Sequence, residues 1–301
     1  MSIKPRQKTV LITGCTPGGI GYALCLAFQQ QDYHVIATAR NPAVLADLAE
    51  KGMSTFELDV TSEESIAACK KQVTELTGGT LDVLVNNAGR THTVPATDIS
   101  LPDVRLTFET NVFGVMAMVQ AFAPLLIPAK GLIVNIASLA AVTPYVFGSV
   151  YCASKGALVS YSRTLRQELR PFGVRVMTVM AGTVKSNINY QTHRQLPEGS
   201  VYRPIEDTYR WRLTYSSTHA SVTCDDFARQ LVAAAQRREA PVWLRTWLGR
   251  PDWLWAGGMA GLAWFGTVMG EWLLDTWFYS RFKMAAFEKM LRRQEAEKKG
   301  N

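Results

Sequence analysis

Apolar positions in the first 180 residues fall into two alternating kinds of run. Residues 8–14 (KTVLITG) are short, apolar and β-branched and stop at a glycine, the pattern of a buried strand. Residues 20–31 then carry apolar side chains at helical spacing. The alternation repeats. It predicts strands at 34–39, 55–58, 81–86, 132–137 and 174–179, and helices at 42–51, 62–77, 103–126 (broken near Pro128) and 150–170. Strands alternating with helices form βαβ units with right-handed crossovers. The predicted fold class is therefore α/β, a doubly wound parallel sheet of the Rossmann type.

The pattern changes after residue 182. Residues 187–222 are polar, rich in Tyr and Arg and weakly periodic, and read as an insertion over the sheet's carboxyl edge, where ligands bind in such folds. Residues 223–238 read as a helix with Thr223 as its cap, and 241–247 as a last strand. Residues 253–270 (WLWAGGMAGLAWFGTVMG) are 18 positions without a charge. As one helix they would span about 27 Å, just short of a hydrocarbon core of about 30 Å. Five are glycines, which weaken a helix, and Gly257 and Gly261 stand at a helix-packing spacing. Seven of the eight tryptophans lie between 243 and 277, and Trp favours the membrane–water interface. Arg245 and Arg250 precede the run and Arg281 and Lys283 follow it, so a single crossing would leave one basic flank on the wrong side. An in-plane or re-entrant apolar helix is expected, with membrane association through 253–283. A soluble substrate lid or a dimer face is the alternative. The chain is thus divided into a catalytic domain, 1–240, and a Trp-rich apolar segment with a basic tail, 241–301.

Composition narrows the classes. With 301 residues, 48% apolar and 19% charged, the chain is too apolar for disorder and too polar for a polytopic membrane protein. The five cysteines form no C-x-x-C pair and their number is odd, which argues against a disulfide framework and a zinc ribbon, and no metal site is expected. The first residues lack the apolar stretch of a secretory signal. Of the net charge of +7, residues 276–301 hold seven Lys/Arg against three Glu, a surplus of +4. No nucleic-acid module accompanies that tail, so nucleic acid is not expected as a partner.

Candidate chemistry sits at the carboxyl ends of the predicted strands. The first turn, Thr13 to Gly21 (TGCTPGGIG), joins strand to helix, the setting in which Gly14, Gly19 and Gly21 let backbone approach a pyrophosphate at a helix N-terminus. Thr16 and Ile20 belong to the same turn. The second strand ends Ala39-Arg40, with an Arg where an acid would hold the ribose hydroxyls of NAD, and this favours NADP(H). Asp59 could accept from an adenine amino group or cap a turn. Asn86-Asn87-Ala88-Gly89 closes the fourth strand at the same edge. Tyr151 and Lys155, four apart on a helix, share a face, and an ammonium there favours the phenolate and lowers the phenol's pKa. Ser138 follows the fifth strand and could hold a carbonyl. Asn111 lies in the long helix before it, where its amide could hold a water.

Together these residues resemble the short-chain dehydrogenase/reductase family, over about residues 8–240. The resemblance implies a catalytic tetrad. Ser138 would orient the carbonyl oxygen, Tyr151 would donate the proton, Lys155 would depress the Tyr pKa and bind the nicotinamide ribose, and Asn111 would hold a relay water. Hydride would pass between the nicotinamide and the substrate carbon. Gly14, Thr16, Gly19, Ile20, Gly21, Arg40, Asp59, Asn87, Ala88, Gly89, Asn111, Tyr151, Lys155, Gly182, Val184 and Ser186 are the implied cofactor contacts. Two departures stand out. The glycine turn has one more residue than the common TGxxxGxG, and Ala181-Gly182 replaces the frequent Pro-Gly, a change expected to loosen that loop. ATAR (37–40), LDVT (58–61) and the Trp-rich extension are most similar to the fungal 1-acyldihydroxyacetone-phosphate reductase-like branch, and retinol and hydroxysteroid dehydrogenases look similar in the same stretches. The substrate class implied is an apolar, lipid-like or secondary-metabolite ketone or alcohol. A non-catalytic NADP-sensing or scaffold protein on the same fold is the rival of another class. The expected location is the cytosolic face of the endoplasmic reticulum or a lipid droplet, or else the soluble cytoplasm. Helices 103–126 and 150–170 would form the face of a homodimer.

Overall fold

The structure, a computed structural model, describes residues 7–186, 194–241 and 249–300. Strands β1 (Thr9–Ile12), β2 (His34–Ala39), β3 (Ser54–Glu57), β4 (Val83–Asn86), β5 (Leu132–Ile136) and β6 (Arg175–Ala181) follow the predicted order. Helices α1 (Ile20–Gln29), α2 (Ala46–Glu50), α3 (Glu63–Thr77), α4 (Leu101–Phe108), α5 (Gly114–Ala129) and α6 (Ser149–Leu169) alternate with them. A π-helical turn, Glu109–Phe113, joins α4 to α5. Two-residue strands β7 (Val184–Lys185) and β8 (Val222–Thr223) flank α7 (Glu206–Thr218) and pair with each other. Then come α8 (Cys224–Gln236), β9 (Trp253–Ala256), α9 (Ala260–Met269), α10 (Glu271–Arg281) and α11 (Met284–Gly300).

The main sheet is parallel, with strand order β3-β2-β1-β4-β5-β6-β9. Chain order reverses between β1 and β4, and the crevice outside that reversal is where such sheets bind ligands. Both sheet faces are covered, so the central strands β1, β4 and β5 are buried along their length rather than alternating. Val10 and Ile12 face one layer with Phe28, Phe227 and Leu231. Leu11 faces the other with Val73, Phe122 and Leu158. Leu101–Ala129 is long and apolar enough to cross a membrane, yet it is the core helix of that second layer, where Met118, Phe122 and Leu126 are fully buried. It runs past Pro124 and stops close to Pro128, as the sequence predicts, with Ala129 its last residue and Lys130 in a left-handed conformation. Thr223 caps α8 as expected, its hydroxyl accepting from Asp226 N at 3.1 Å.

The main difference from the sequence reading lies at 253–270. This stretch is not one helix. Trp253–Ala256 is the seventh strand, in register with Thr178–Ala181 of β6. Trp253 and Trp255 pack into one core layer, Leu254 and Ala256 into the other. A strand buried on both faces has no polar alternation, so periodicity cannot separate it from a buried helix. Gly257, at φ +89, and Gly258, bridged to Thr183, turn the chain into α9. Asp252 anchors the strand's start, accepting from Arg175 Nη2 at 2.6 Å, while Arg166 stacks over the Trp253 ring. The sheet therefore reaches into the segment set apart at residue 240. Of the strand expected at 241–247, residues 242–247 lie outside the described residues, and Pro241 is in no element. Helix α7 was not foreseen: its buried side mixes Thr208, Tyr209, Arg212 and Tyr215 with one aliphatic residue, Leu213, which gives no continuous apolar stripe.

Candidate active site

The glycine turn fits a dinucleotide phosphate by shape. Gly14 adopts φ +73, and a Cβ there would lie 3.0 Å from Ala88 Cα. A Cβ on Gly21 would lie 2.4 Å from the Gly14 carbonyl oxygen and 2.6 Å from Asn87 Nδ2. Gly19 is the N-cap of α1 and carries no side chain to bond the first-turn N–H groups, which leaves them for an anion. The turn's extra residue is absorbed at Gly18, in a left-handed conformation at φ +74, and Gly19 N donates to Thr16 O at 3.1 Å.

The turn is held by Thr13, which the sequence reading passed over. Its hydroxyl accepts from Asn87 N at 3.0 Å and Ala88 N at 2.9 Å. Asn87 Nδ2 returns bonds to Thr13 O at 2.8 Å and Gly14 O at 3.1 Å. Deeper, Asn86 donates to Asn135 Oδ1 at 2.8 Å, and Asn135 donates to Ser162 Oγ at 2.9 Å, a buried polar ladder from β4 through β5 to α6. Arg40 is exposed directly after β2, and Asp59 follows β3. Asp59 Oδ1 accepts from Thr61 N and Oγ1, at 2.9 and 2.8 Å, so one carboxylate oxygen caps the turn.

Ser138, Tyr151 and Lys155 line one cleft with Ile20, Asn87, Gly89, Gly182, Val184 and Ser186. Lys155 is buried, and its Nζ donates to Ile136 O at 2.8 Å and lies 5.9 Å from the Tyr151 ring centroid. A Cβ on Gly89 would crowd Asn111 Oδ1 at 3.2 Å. Burial pushes the Tyr151 phenol up to about 12, and a hydrogen bond with Ser138 lowers it in part. Burial brings Lys155 down to about 8. The sequence argument that the lysine depresses the phenol is not what this geometry shows: burial dominates, and Ser138 is the group that opposes it. At neutral pH the phenol keeps its proton, the form a proton donor needs.

Asn111 is placed differently from expectation. Its amide donates both to Arg90 O at 3.0 Å and to Ser154 Oγ at 3.0 Å, and its Oδ1 accepts from Arg90 N at 2.9 Å. The side-chain amide expected to hold a water is occupied, and instead ties the loop after β4 to α6. Nor is the loop after β6 loosened by losing the proline. Gly182 N donates to Ala256 O at 2.8 Å and Thr183 bridges Gly258, so β9 clamps it. Arg90, on the cleft wall, is also new. It pairs with Asp103 at 2.5 Å, and buried His92 lies 3.1 Å from the same carboxylate.

The outer wall is apolar. Met259 at the N-terminus of α9, Leu262 and Ala263 from α9, and Leu274, Trp277 and Phe278 from α10 line the same cleft as Tyr151. The C-terminal extension is thus part of the site.

A dinucleotide-binding turn, a switch-point crevice and a Ser-Tyr-Lys group on its floor define an oxidoreductase of CH–OH and C=O groups that uses a nicotinamide cofactor. The chain belongs to the short-chain dehydrogenase/reductase family: the family described as short chain dehydrogenase matches residues 8–197. A short-chain dehydrogenase of Pyricularia oryzae is 39% identical over 282 residues, covering 91% of this chain and 95% of that one. The NADPH-dependent 1-acyldihydroxyacetone phosphate reductase of Schizosaccharomyces pombe is 39% identical over 276 residues, covering 87% and 90%. A solved short-chain dehydrogenase from Streptomyces avermitilis superposes with a TM-score of 0.73 at 27% identity, covering 96% and 99%.

Proposed function

We propose that the protein is an NADP(H)-dependent reductase of an apolar ketone, lipid-like or of a secondary-metabolite pathway. The observation that carries this is the meeting of Ser138, Tyr151 and Lys155 in one cleft that is also lined by Leu262, Leu274, Trp277 and Phe278. A bound nicotinamide cofactor would supply the hydride. Ser138 and Tyr151 would hold the carbonyl oxygen between two hydroxyls, and Tyr151 would donate the proton as charge develops there. Lys155, charged below about pH 8, would stand behind the phenol and hold the developing phenolate. Arg40 would pair with a 2′-phosphate, and the S. pombe relative's NADPH dependence supports that choice. The test follows NADPH oxidation against a panel of long-chain and polycyclic ketones. Tyr151→Phe should lose about 10²–10⁴-fold in kcat while NADPH fluorescence titrations stay unchanged. Equal turnover by the variant would remove Tyr151 from the chemistry and favour the NADP-sensing alternative.

We also propose that α9 and α10 rest in the plane of a membrane, on the cytosolic face of the endoplasmic reticulum or a lipid droplet. Leu262, Trp264, Val268 and Trp272 are half or more exposed, a dense apolar patch for a soluble surface. Neither helix, at 10 and 11 residues, can cross a hydrocarbon core of about 30 Å. Basic Lys289, Arg292 and Arg293 on the adjoining α11 suit anionic head groups. Exposed Leu106 and Phe113 support a homodimer through the long helices.

A further inference from the structure

Helix α7 buries a cation. Arg212 is 2% exposed, and its guanidinium carbon lies 3.4 Å from the Tyr145 ring centroid and 5.3 Å from that of Phe282. Its Nε donates to Val146 O at 3.1 Å. Its Nη2 is buried and makes no hydrogen bond among the described residues. Among the described residues, the groups that act on it most are Tyr145, which also offers its hydroxyl as a hydrogen-bond partner, Cys152 and Tyr215, none of them a carboxylate. A buried charge without a counter-ion is disfavoured, and stacking on rings offsets only part of that. If the position served packing alone, an apolar side chain of similar length would avoid the penalty. The penalty is relieved when a ligand brings the missing acceptor.

The location says which ligand. Arg212 and Tyr145 form part of the same cleft wall as Ser138 and Tyr151. Cys152, one of the groups that act on Arg212, directly follows Tyr151 on α6. The cleft's other cations are committed: Arg90 is paired with Asp103, and Lys155 donates to Ile136 O beneath the phenol. A single uncommitted guanidinium balances one negative charge, and a phosphate dianion would keep a second charge unpaired among the rings. We propose that Arg212 is a specificity-determining residue that binds a singly charged oxyanion of the substrate, a carboxylate or an ionised phenol, while the ketone is held by Tyr151. This rests on the reductase reading above.

The test uses full-length protein saturated with NADPH and calorimetric titration with three probes of one shape. They are biphenyl-4-carboxylate, its neutral carboxamide, and 2-nitro-4-phenylphenol ionised at pH 8. The wild type should bind at least one anion tenfold or more tightly than the carboxamide, and the tighter anion names the source. Arg212→Met should bring anion and amide within threefold of each other. Arg212→Gln, which keeps a donor for Val146 O but drops the charge, should do the same if the methionine variant fails to fold. Equal binding by the wild type, or a preference that survives both substitutions, overturns the proposal. Reduction of neutral 4-acetylbiphenyl is measured beside it. Turnover with no anion preference defeats the anion site and leaves the reductase reading. Anion preference with no turnover of any ketone defeats the reductase reading and leaves the anion site standing as a ligand subsite.

Discussion

The two walls of the cleft are built on different principles. The wall from β1 to α6 is a set of single-atom fits. Thr13 Oγ1 receives two backbone N–H groups, Asn111 closes three hydrogen bonds, and Gly21 sits where no Cβ can. The wall from α7 to α10 is a cluster of faces. Trp211, Tyr215, Phe278 and Phe282, joined by Tyr145 from the loop before α6, meet edge-on, tilted or stacked, with ring centroids 5.0 to 6.4 Å apart, around Arg212. Single-atom fits demand one residue type at one spacing. Ring clusters accept many side chains of similar size. The first wall therefore holds the chemistry constant, and the second is free to set the substrate.

The sharpest way to break this contrast is Gly21→Val. The new side chain must enter the space held by the Gly14 carbonyl and Asn87 Nδ2, and neither can withdraw without opening the turn. A destabilisation of about 3 kcal/mol or more is expected, with NADPH binding lost. A folded variant with normal affinity, seen by thermal melting and fluorescence titration, would mean that the turn is softer than the contacts indicate.

Thr13→Val comes next. It keeps the shape and removes the acceptor for Asn87 N and Ala88 N. Leaving such donors unmet costs about 1–3 kcal/mol. Denaturant unfolding should show that loss, and affinity for NADPH should fall with it, because the same loop closes over the glycine turn.

The same difference explains what was legible in the sequence. The motif TGCTPGGIG, the Asn-Asn-Ala-Gly turn and the Tyr151/Lys155 pair could be read because each needs particular residue types at fixed offsets. Thr13 and Ser154 sit inside those motifs and were within reach. Arg90 could only be found in space, since nothing in its sequence setting announces Asp103. Strand β9 was hidden because Trp253 to Ala256 is apolar on both sheet faces. Helix α7 was hidden because its inward residues, Thr208, Tyr209, Arg212 and Tyr215, look like a solvated stretch. The phenol's pKa was misjudged for a related reason: spacing along a helix says who is near, and burial is a property of the fold.

The floor between the walls can be probed by pH. Lys155 is held at about 8 against 10.5 for an exposed lysine, and Tyr151 at about 12. Across the working range the phenol keeps its proton, so Lys155 sets the alkaline limit of reduction. Turnover efficiency should fall above about pH 8, approaching tenfold per unit. Stability should move the other way. Between about 8 and 10.5 the unfolded chain holds the lysine proton and the folded one has released it, so stability rises with pH in that window. Lys155→Met should remove this rise from a Tm-against-pH series. A rise of the same size in the variant would show that Lys155 is not the group that titrates.

The smallest effect on the fold is expected at the outer face of the second wall, and it separates packing from docking. Val268 and Trp272 are 66% and 67% exposed, and neither belongs to a buried cluster. Val268→Ser with Trp272→Ser should change stability by no more than about 0.5 kcal/mol per site. Turnover of a water-soluble ketone should be unchanged, because the cleft is walled by Leu262, Leu274, Trp277 and Phe278 instead. Co-sedimentation with vesicles containing anionic lipid should drop severalfold. If vesicle binding persists while melting temperature falls, these side chains pack within the protein or against a second copy, and the membrane reading fails. If binding falls while stability and soluble-substrate turnover hold, one pair of helices turns its inner face to the substrate and its outer face to the membrane. An apolar ketone would then meet the cleft from the phase in which it dissolves.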